Sequence, residues 1–182
     1  MRFLPEALRL FLVLSLLTGV AYPLLVTAIV QLTMSFQANG SFIEVNGQKV
    51  GSLLIGQEFK SEKYFRGRPS AIHYNPLPSG GSNLSWTSAE LEKQINERLK
   101  TQSEPPDLLY SSASGLDPHI SPEAARYQID RIIKARGVDP IKGRNALEKL
   151  IEEYTVSPGF GFIGPRHVNV LLLNLAIDKE KW

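Results

Sequence analysis

The hydrophobic and polar positions divide this chain into a long apolar stretch near its N-terminus and a mixed region after it. From Leu10 to Ile43, 34 consecutive positions carry no Asp, Glu, Lys or Arg. A helix needs ~20 apolar residues to cross the hydrocarbon core of a bilayer, so the pattern predicts one membrane span over about 10–34. A cleaved signal peptide usually has a shorter apolar core of ~7–15 residues. We therefore expect residues 1–36 to carry an uncleaved span and residues 37–182 to form a second domain.

One side of the predicted span carries small and polar residues. Regular helical spacing aligns Ser15, Thr18, Gly19 and Tyr22, and the pair Ser15 and Gly19 lets another helix backbone come close. Pro23 conflicts with the carbonyl of Gly19, which a neighbouring helix can then satisfy. These five residues form a candidate face for a partner helix. A lone anchor with incidental glycine and proline is the alternative.

Beyond the span, turn signals and periodicity predict strands first. Asn46-Gly47 supplies the residues of a type I′ turn and predicts a hairpin of strands Phe42–Val45 and Lys49–Ile55. The segment 62–86 is rich in proline, glycine and aromatic residues and predicts a long ordered loop. Four aromatic side chains of this loop are expected to be buried: Tyr64, Phe65, Tyr74 and Trp86.

Three helices follow from capping residues and apolar spacing. Thr87 and Glu90 form a capping box for a helix to about Lys100. Ser121 is the expected N-cap of a second helix, which Gly137 ends. A third covers about Gly143–Tyr154.

Two apolar runs remain. Asp107–Ala113 is interpreted as a short buried strand, and 168–177 fits a strand or a helix, with its β-branched start favouring a strand. The second domain is therefore predicted to be one compact α+β domain with a small sheet and about three helices.

Composition and charge exclude several function classes. The chain has no cysteine, which excludes thiolate chemistry, disulfides and cysteine metal sites. From Gln37 onward, 18 Lys and Arg stand against 17 Asp and Glu, which argues against nucleic acid as a partner. Arg2 and Arg9 precede the span, and the first lysine after it is Lys49. The positive-inside rule therefore predicts a cytoplasmic N-terminus and an extracytoplasmic α+β domain.

The stretch Ser112–Gly137 contains Ser114, Asp117 and His119, the side-chain types of a hydrolytic triad. Each has a structural interpretation as well. Ser114-Gly115 follows the predicted strand, Asp117-Pro118 starts a turn, and Ser121-Pro122 starts a helix. The G-x-S-x-G context is absent, and triad members usually come from distant segments. We interpret the start of this stretch, Ser112–Ser121, as a structural or docking elbow without catalytic residues. A membrane-anchored hydrolase using Asp117 and His119 is the alternative.

The sequence gives only weak signals for a metal site, an anion-binding loop or a basic binding surface. The three histidines fall on predicted loops without ligand spacing, so no metal site is predicted: His73, His119 and His167. The turn Ser79–Asn83 (Ser79, Gly80, Gly81, Ser82, Asn83) could cradle an anion, but no Walker lysine follows it. Lys60, Lys63, Arg66 and Arg68 alternate with acidic residues and are typical of a solvated edge. The residues alone favour a membrane-anchored accessory domain, with a free-standing surface binding module as a further alternative.

Motifs in order over nearly the whole chain resemble the C subunit of the bacterial Kdp potassium-transporting ATPase. They are Tyr22-Pro23-Leu24, GSLLIGQEF from Gly51, YFRGRPSA from Tyr64, YNPLPSGGSNL from Tyr74, SASGLDPHISPEAA from Ser112, RIIKARG from Arg131, and VNVLLLNLAID near the end. The third helix and the Ser157–Arg166 loop are less typical of the family.

The resemblance implies a single-span, non-catalytic accessory subunit in the bacterial plasma membrane. Its implied partners are a potassium-translocating channel-like subunit and an ATP-hydrolysing P-type subunit. It also implies a catalytic-chaperone role that raises the ATP affinity of the hydrolysing subunit. Ser79–Asn83 has been likened to the signature motif of ABC transporters, which would mean nucleotide contact. The predicted topology separates it from cytoplasmic ATP, so we expect an indirect effect. ATP and potassium then belong to the complex, with no cofactor bound firmly here.

Overall fold

The computed structural model describes residues 3–99, 104–180 and 182, and the chain divides into two units, Met1–Phe42 and Ile43–Trp182. In the first unit, α1 (Leu4–Leu16) continues through a π-helical segment (Leu17–Ala21) into α2 (Tyr22–Thr33), and α3 (Ser35–Ala38) follows. Together Leu4–Thr33 form a 30-residue helix that is long and apolar enough to cross a membrane. The helix begins before the charge-free stretch because a proline is tolerated in the first turn, where an acidic residue also suits the helix dipole.

The hairpin predicted around Asn46-Gly47 is confirmed. β1 (Phe42–Val45) and β2 (Gln48–Ser52) form a two-stranded sheet, and both turn residues have positive φ, 52° and 77°. β2 ends earlier than predicted because Ser52 closes a turn. Its Oγ accepts a hydrogen bond from the amide of Leu54, and its carbonyl accepts one from Ile55.

The second sheet lies in the second unit and has the strand order β3-β5-β4, with antiparallel neighbours. These strands are short: β3 (His119–Ile120), β4 (Thr155–Val156) and β5 (His167–Asn169). The helices described in this unit are α4 (Ala89–Arg98), α5 (Pro106–Leu109), α6 (Pro122–Tyr127), α7 (Ile129–Arg136), α8 (Pro140–Glu153) and α9 (Val170–Lys179). The α+β class is confirmed, whereas "about three helices" is too few.

The hydrophobic core of the second unit lies among α6, α7, α8, α9 and β5. Its fully buried members include Ile129, Ile132, Leu147, Ile151 and Leu173. The apolar faces predicted for the second and third helices supply four of these five. Phe65 joins the same core from the long loop with no exposed surface, so that loop is attached to the core through its aromatic residue.

The preference for a strand over 168–177 is wrong for most of that segment. Only the short β5 is extended, and α9 begins at Val170. The change of conformation occurs at Asn169, whose Oδ1 accepts hydrogen bonds from the amides of Leu171 and Leu172. An N-cap of this kind starts a helix, and periodicity in so apolar a run could not reveal it.

The strand predicted over Asp107–Ala113 is also wrong. Pro106–Leu109 form one helical turn, because Pro106 suits a first turn and its carbonyl accepts a hydrogen bond from the amide of Tyr110. The burial predicted for Trp86 is wrong as well. Its side chain is 85% exposed and only flanks the ring of Tyr110, with a centroid distance of 5.7 Å.

The boundaries predicted for the second and third helices are confirmed in part. Ser121 caps α6 by accepting a hydrogen bond from the amide of Ala124 (3.2 Å), and Gly137 ends α7 with a φ of 67°. A single helix between them is wrong, because Gln128 separates α6 from α7. α8 starts at Pro140, where Asp139 caps two amides.

The capping box for α4 is wrong. The Thr87 hydroxyl pairs with Ser85 at 2.9 Å, and the helix begins one residue later, after Ser88. Its predicted end at Lys100 lies outside the described residues.

Candidate functional site

The elbow, residues Ser112–Ser121, is built from short side-chain turns. Ser114 Oγ accepts a hydrogen bond from the amide of Leu116 at 3.1 Å, and Asp117 Oδ1 accepts one from the amide of His119 at 3.0 Å. Serine and aspartate commonly close such turns two residues ahead. Ser121 then caps α6. The polar side chains of the elbow therefore hold its backbone in place.

Asp117 also forms an ion pair. Arg68 Nη1 lies 3.2 Å from Asp117 Oδ2, with both side chains about 30% exposed (28% and 30%). Burial by itself raises the pKa of Asp117, but the hydrogen bonds from His119 and the charge of Arg68 outweigh it and lower the pKa below its ordinary value. Asp117 is thus ionised at neutral pH, and it links the elbow to the long loop.

The structure brings two of the three histidines together. The rings of His119 and His167 meet edge to face, with centroids 4.7 Å apart. Because these residues lie in β3 and β5, the prediction that they occupy loops is wrong, while His73 does lie in a turn. Among the described residues, no group of three or more His, Cys, Asp or Glu could hold a metal ion.

A hydrolase at this site would need a nucleophile beside His119. His119 Nδ1 lies 3.6 Å from Asp117 Oδ1, so the two side chains do approach each other. The hydroxyls of Ser114 and Ser121, however, bind the backbone amides described above rather than an imidazole. Ser114 and Ser121 are therefore not placed for activation by a histidine.

The glycine-rich turn Ser79–Asn83 packs directly against the elbow. The amide of Gly80 donates a hydrogen bond to the carbonyl of Ser114 at 3.0 Å. A Cβ added at Gly81 would lie 2.8 Å from the carbonyl oxygen of Ala113. Gly115, with a φ of 69°, would place a Cβ 2.7 Å from the carbonyl oxygen of Gly80. The turn and the elbow thus form one surface, and the Gly80 amide already has an acceptor.

Two buried side-chain amides hold the strip Tyr64–Pro69, and sequence analysis missed both. Asn174 accepts from the Phe65 amide (2.8 Å) and donates to its carbonyl (2.9 Å). Gln128 does the same for Arg66, at 2.8 and 3.0 Å. Each side chain therefore binds a backbone residue as a neighbouring strand would. Asn174 gave a sequence signal, as a polar residue inside an apolar run, whereas Gln128 lies among charged and apolar residues and gave none.

The four basic residues predicted to form a solvated edge, Lys60, Lys63, Arg66 and Arg68, differ in their surroundings. Lys60 and Lys63 are exposed as expected, and Lys60 pairs with Glu58 at 3.3 Å. Arg66 pairs with Glu62, and Arg68 is mostly buried against Asp117. The prediction is therefore wrong for Arg68, which connects the strip to the elbow.

A cleft of about 780 Å³ opens beside the strip. Its charged lining consists of Lys60, Arg66, Arg68, Arg98 and Arg131 with Glu58, Glu97 and Glu104. Burial raises the pKa of Tyr74, another lining residue, to about 12, so its hydroxyl stays protonated and donates to the carbonyl of Arg68. Charges of both signs therefore line the cleft, with five basic side chains against three acidic ones among the described residues.

The candidate partner-helix face of the span crosses the π-helical segment. The Tyr22 amide reaches the carbonyl of Leu17, five residues back, and Thr18 Oγ donates to the carbonyl of Leu14 at 2.7 Å. A wider turn of this kind accommodates the proline that follows. A Cβ added at Gly19 would meet nothing within 4 Å, and Ser15 and Pro23 are also exposed.

Comparison with known proteins agrees with the motifs. Residues 4–179 match the family model described as KdpC, K+-transporting ATPase, c chain. The chain is 49% identical to the potassium-transporting ATPase KdpC subunit of Pectobacterium atrosepticum, covering 100% of this chain and 98% of that one. It is 47% identical to the subunit of that name from Paraburkholderia phytofirmans (94% of each chain) and 43% identical to that from Geotalea uraniireducens (98% of each). The resemblance is confirmed, and the chain belongs to the KdpC family, the c chains of K+-transporting ATPases.

Proposed function

We propose that this protein is a non-catalytic accessory subunit of an ATP-driven, high-affinity potassium uptake complex in the bacterial plasma membrane. The observation that carries the proposal is the family match over residues 4–179. Its partners are a potassium-translocating channel-like subunit and an ATP-hydrolysing P-type subunit. The helix Leu4–Thr33 supports a membrane-anchored role, since its length and composition suit a span.

The geometry of the elbow supports a non-catalytic role. The elbow side chains hold backbone amides or take part in ion pairs, as Asp117 does with Arg68. A catalytic acid or base must instead lie within hydrogen-bond distance of the reacting atoms of a substrate. The elbow and the glycine-rich turn Ser79–Asn83 together form a preorganised surface that suits docking to a partner subunit.

The second unit lies outside the cytoplasm in this proposal. Arg2 and Arg9 precede the span, and positive charge concentrates on the cytoplasmic side of membrane proteins. The subunit then raises the ATP affinity of the hydrolysing subunit indirectly, through assembly and conformational coupling. ATP and potassium are bound by the complex, and Ser79–Asn83 has no contact with nucleotide.

Cysteine labelling tests this orientation, because the chain has no native cysteine. Asn145, exposed on α8, is changed to cysteine, and Phe3→Cys is the control before the span. A membrane-impermeant maleimide should label Asn145→Cys in intact cells and Phe3→Cys only after permeabilisation. The reverse pattern would place the second unit in the cytoplasm and restore Ser79–Asn83 as a candidate nucleotide contact.

The face of the span is proposed to pack against a helix of a partner subunit. Gly19→Leu adds a large side chain where this chain leaves open space, so any loss must arise at a partner that approaches closely. Ala28→Leu, six positions beyond Tyr22, is a matched control on another side of the helix. Co-purification in detergent should recover less of the partner subunits with Gly19→Leu than with Ala28→Leu. Equal recovery contradicts a packed face, and a monodisperse chain without partners would favour a free-standing module.

A further inference from the structure

The segment Ser157–Pro165, which we name the aromatic knuckle, exposes three large apolar side chains next to each other. Phe160 is 91% exposed, Phe162 80% and Ile163 57%. No charged residue lies between Ser157 and Pro165. Single exposed apolar residues are common, but a group of them on one turn indicates an interaction site.

Phe160, the first aromatic residue of the knuckle, has an unfavourable backbone conformation. The amide of Phe162 donates to the carbonyl of Gly159, and Phe160 and Gly161 between them have φ angles of 51° and 82°. Positive φ at both positions is typical of a type I′ turn, which favours Asn-Gly. A bulky side chain at positive φ is unusual. Stability alone would therefore favour a smaller residue than Phe160.

Four backbone amides of the knuckle donate within it, so these groups need no water as hydrogen-bond partner. The amides of Gly159 and Ile163 donate to each other's carbonyls at 2.9 and 2.8 Å, and the amide of Gly161 donates to the carbonyl of Pro158. Backbone groups in lipid must be satisfied internally. A protein interface instead carries roughly one hydrogen bond per 100–200 Å², and Ser157 is the one residue of the knuckle whose side chain can form such a bond.

We propose that the aromatic knuckle inserts into the interfacial layer of the bilayer to which the chain is anchored. Residues 34–42 join the span to the second unit, so the chain tethers the start of that unit within at most about 30 Å of the end of the span. Aromatic side chains concentrate in that layer. Arg166 directly follows the knuckle and pairs with Glu152, which Arg126 also contacts, and a basic side chain at this edge suits anionic headgroups. The inference rests on the span crossing a membrane, not on which side the second unit occupies.

Tryptophan fluorescence of the full chain in vesicles tests the proposal. Trp86 and Trp182 are replaced by phenylalanine, and Phe160→Trp is the reporter. Ile141→Trp is the matched control, since Ile141 is 75% exposed on α8 beside Lys142. The vesicles contain phosphatidylcholine and phosphatidylglycerol, with or without brominated acyl chains. Because interfacial insertion reaches ~5–10 Å into the acyl boundary, bromination should quench Phe160→Trp at least about twofold more than Ile141→Trp.

A second reporter separates insertion from misfolding. Phe162→Trp should be quenched by brominated lipid in the same vesicles, and adding Phe160→Asn should weaken that quenching. Asn-Gly favours the same turn, so the knuckle should remain folded without its first ring. Equal, weak quenching of the Phe160→Trp and Ile141→Trp reporters overturns the proposal. A blue-shifted Phe160→Trp emission that only the assembled complex shows, without quenching by brominated lipid, also overturns it and assigns the knuckle to a partner subunit. Neither result contradicts the accessory role, because that role rests on the family match over residues 4–179.

Discussion

The side-chain amides of Asn174 and Gln128 act as two clamps on the backbone of the strip Tyr64–Pro69. Asn174→Leu removes one of them. In the native chain Asn174 binds both the amide and the carbonyl of Phe65, at 2.8 and 2.9 Å. Phe65 has no exposed surface, and Asn174 is 2% exposed. Leucine has a similar size but cannot pair with either group, so the change leaves a buried donor and a buried acceptor without a partner.

The magnitude follows from these two groups. Each unsatisfied buried backbone group costs about 1–3 kcal/mol, which gives about 4 kcal/mol for the pair. Burying leucine in place of an amide offsets roughly 1.5 kcal/mol of this. The free energy of unfolding should therefore fall by about 2–3 kcal/mol. For a unit of this size that corresponds to a Tm lower by roughly 10 °C.

Near-UV circular dichroism of the full chain in detergent measures the unfolding of the second unit. Asn145→Leu is the control, since it makes the same substitution at an exposed position of α8. Exposed substitutions usually change stability by less than about 0.5 kcal/mol, so its Tm should stay close to that of the native chain. If the two variants shifted Tm equally, the clamp on Phe65 would not be what holds the strip.

Two further predictions concern the elbow. The pKa of Asp117 is depressed in the folded state, so its charge stabilises the fold above about pH 4 and this contribution is lost as the pH falls further. Asp117→Asn should therefore lower Tm at pH 7, and its Tm difference from the native chain should narrow towards pH 3. A Tm difference that does not change with pH would contradict this reasoning. Gly115→Ala and Gly137→Ala both place alanine at positive φ, 69° and 67°, which costs about 1–2 kcal/mol. Only the first would place a Cβ 2.7 Å from the carbonyl oxygen of Gly80 in the glycine-rich turn and 2.5 Å from Ile72, so its loss of stability in urea unfolding should be larger by about 1–3 kcal/mol. Equal losses would contradict the packing of the glycine-rich turn against the elbow.

The candidate site was predictable where its contacts are local. The elbow was identified because Ser121 caps an amide three residues on and Asp117 closes a turn two residues on. The clamp was missed because Asn174 and Phe65 lie 109 positions apart. The contact between Arg68 and Asp117 was missed for the same reason, since 49 positions separate them. Arg68 was therefore wrongly interpreted as part of a solvated edge.

Local sequence was enough to predict the apolar helix near the N-terminus, the hairpin at Asn46-Gly47 and the start of the helix at Ser121. In each case a run of neighbouring residues dictates the conformation, through the length of an apolar helix, the φ angles of a turn or the cap of a helix. Tertiary structure decided that Asn169 ends a strand and begins α9, because β5 must pair with β3 at His119. It also decided that the glycine-rich turn Ser79–Asn83 lies on the elbow, where the Gly80 amide donates to the carbonyl of Ser114. Contacts between distant segments gain their energy only when the chain is folded, and a local pattern does not encode them.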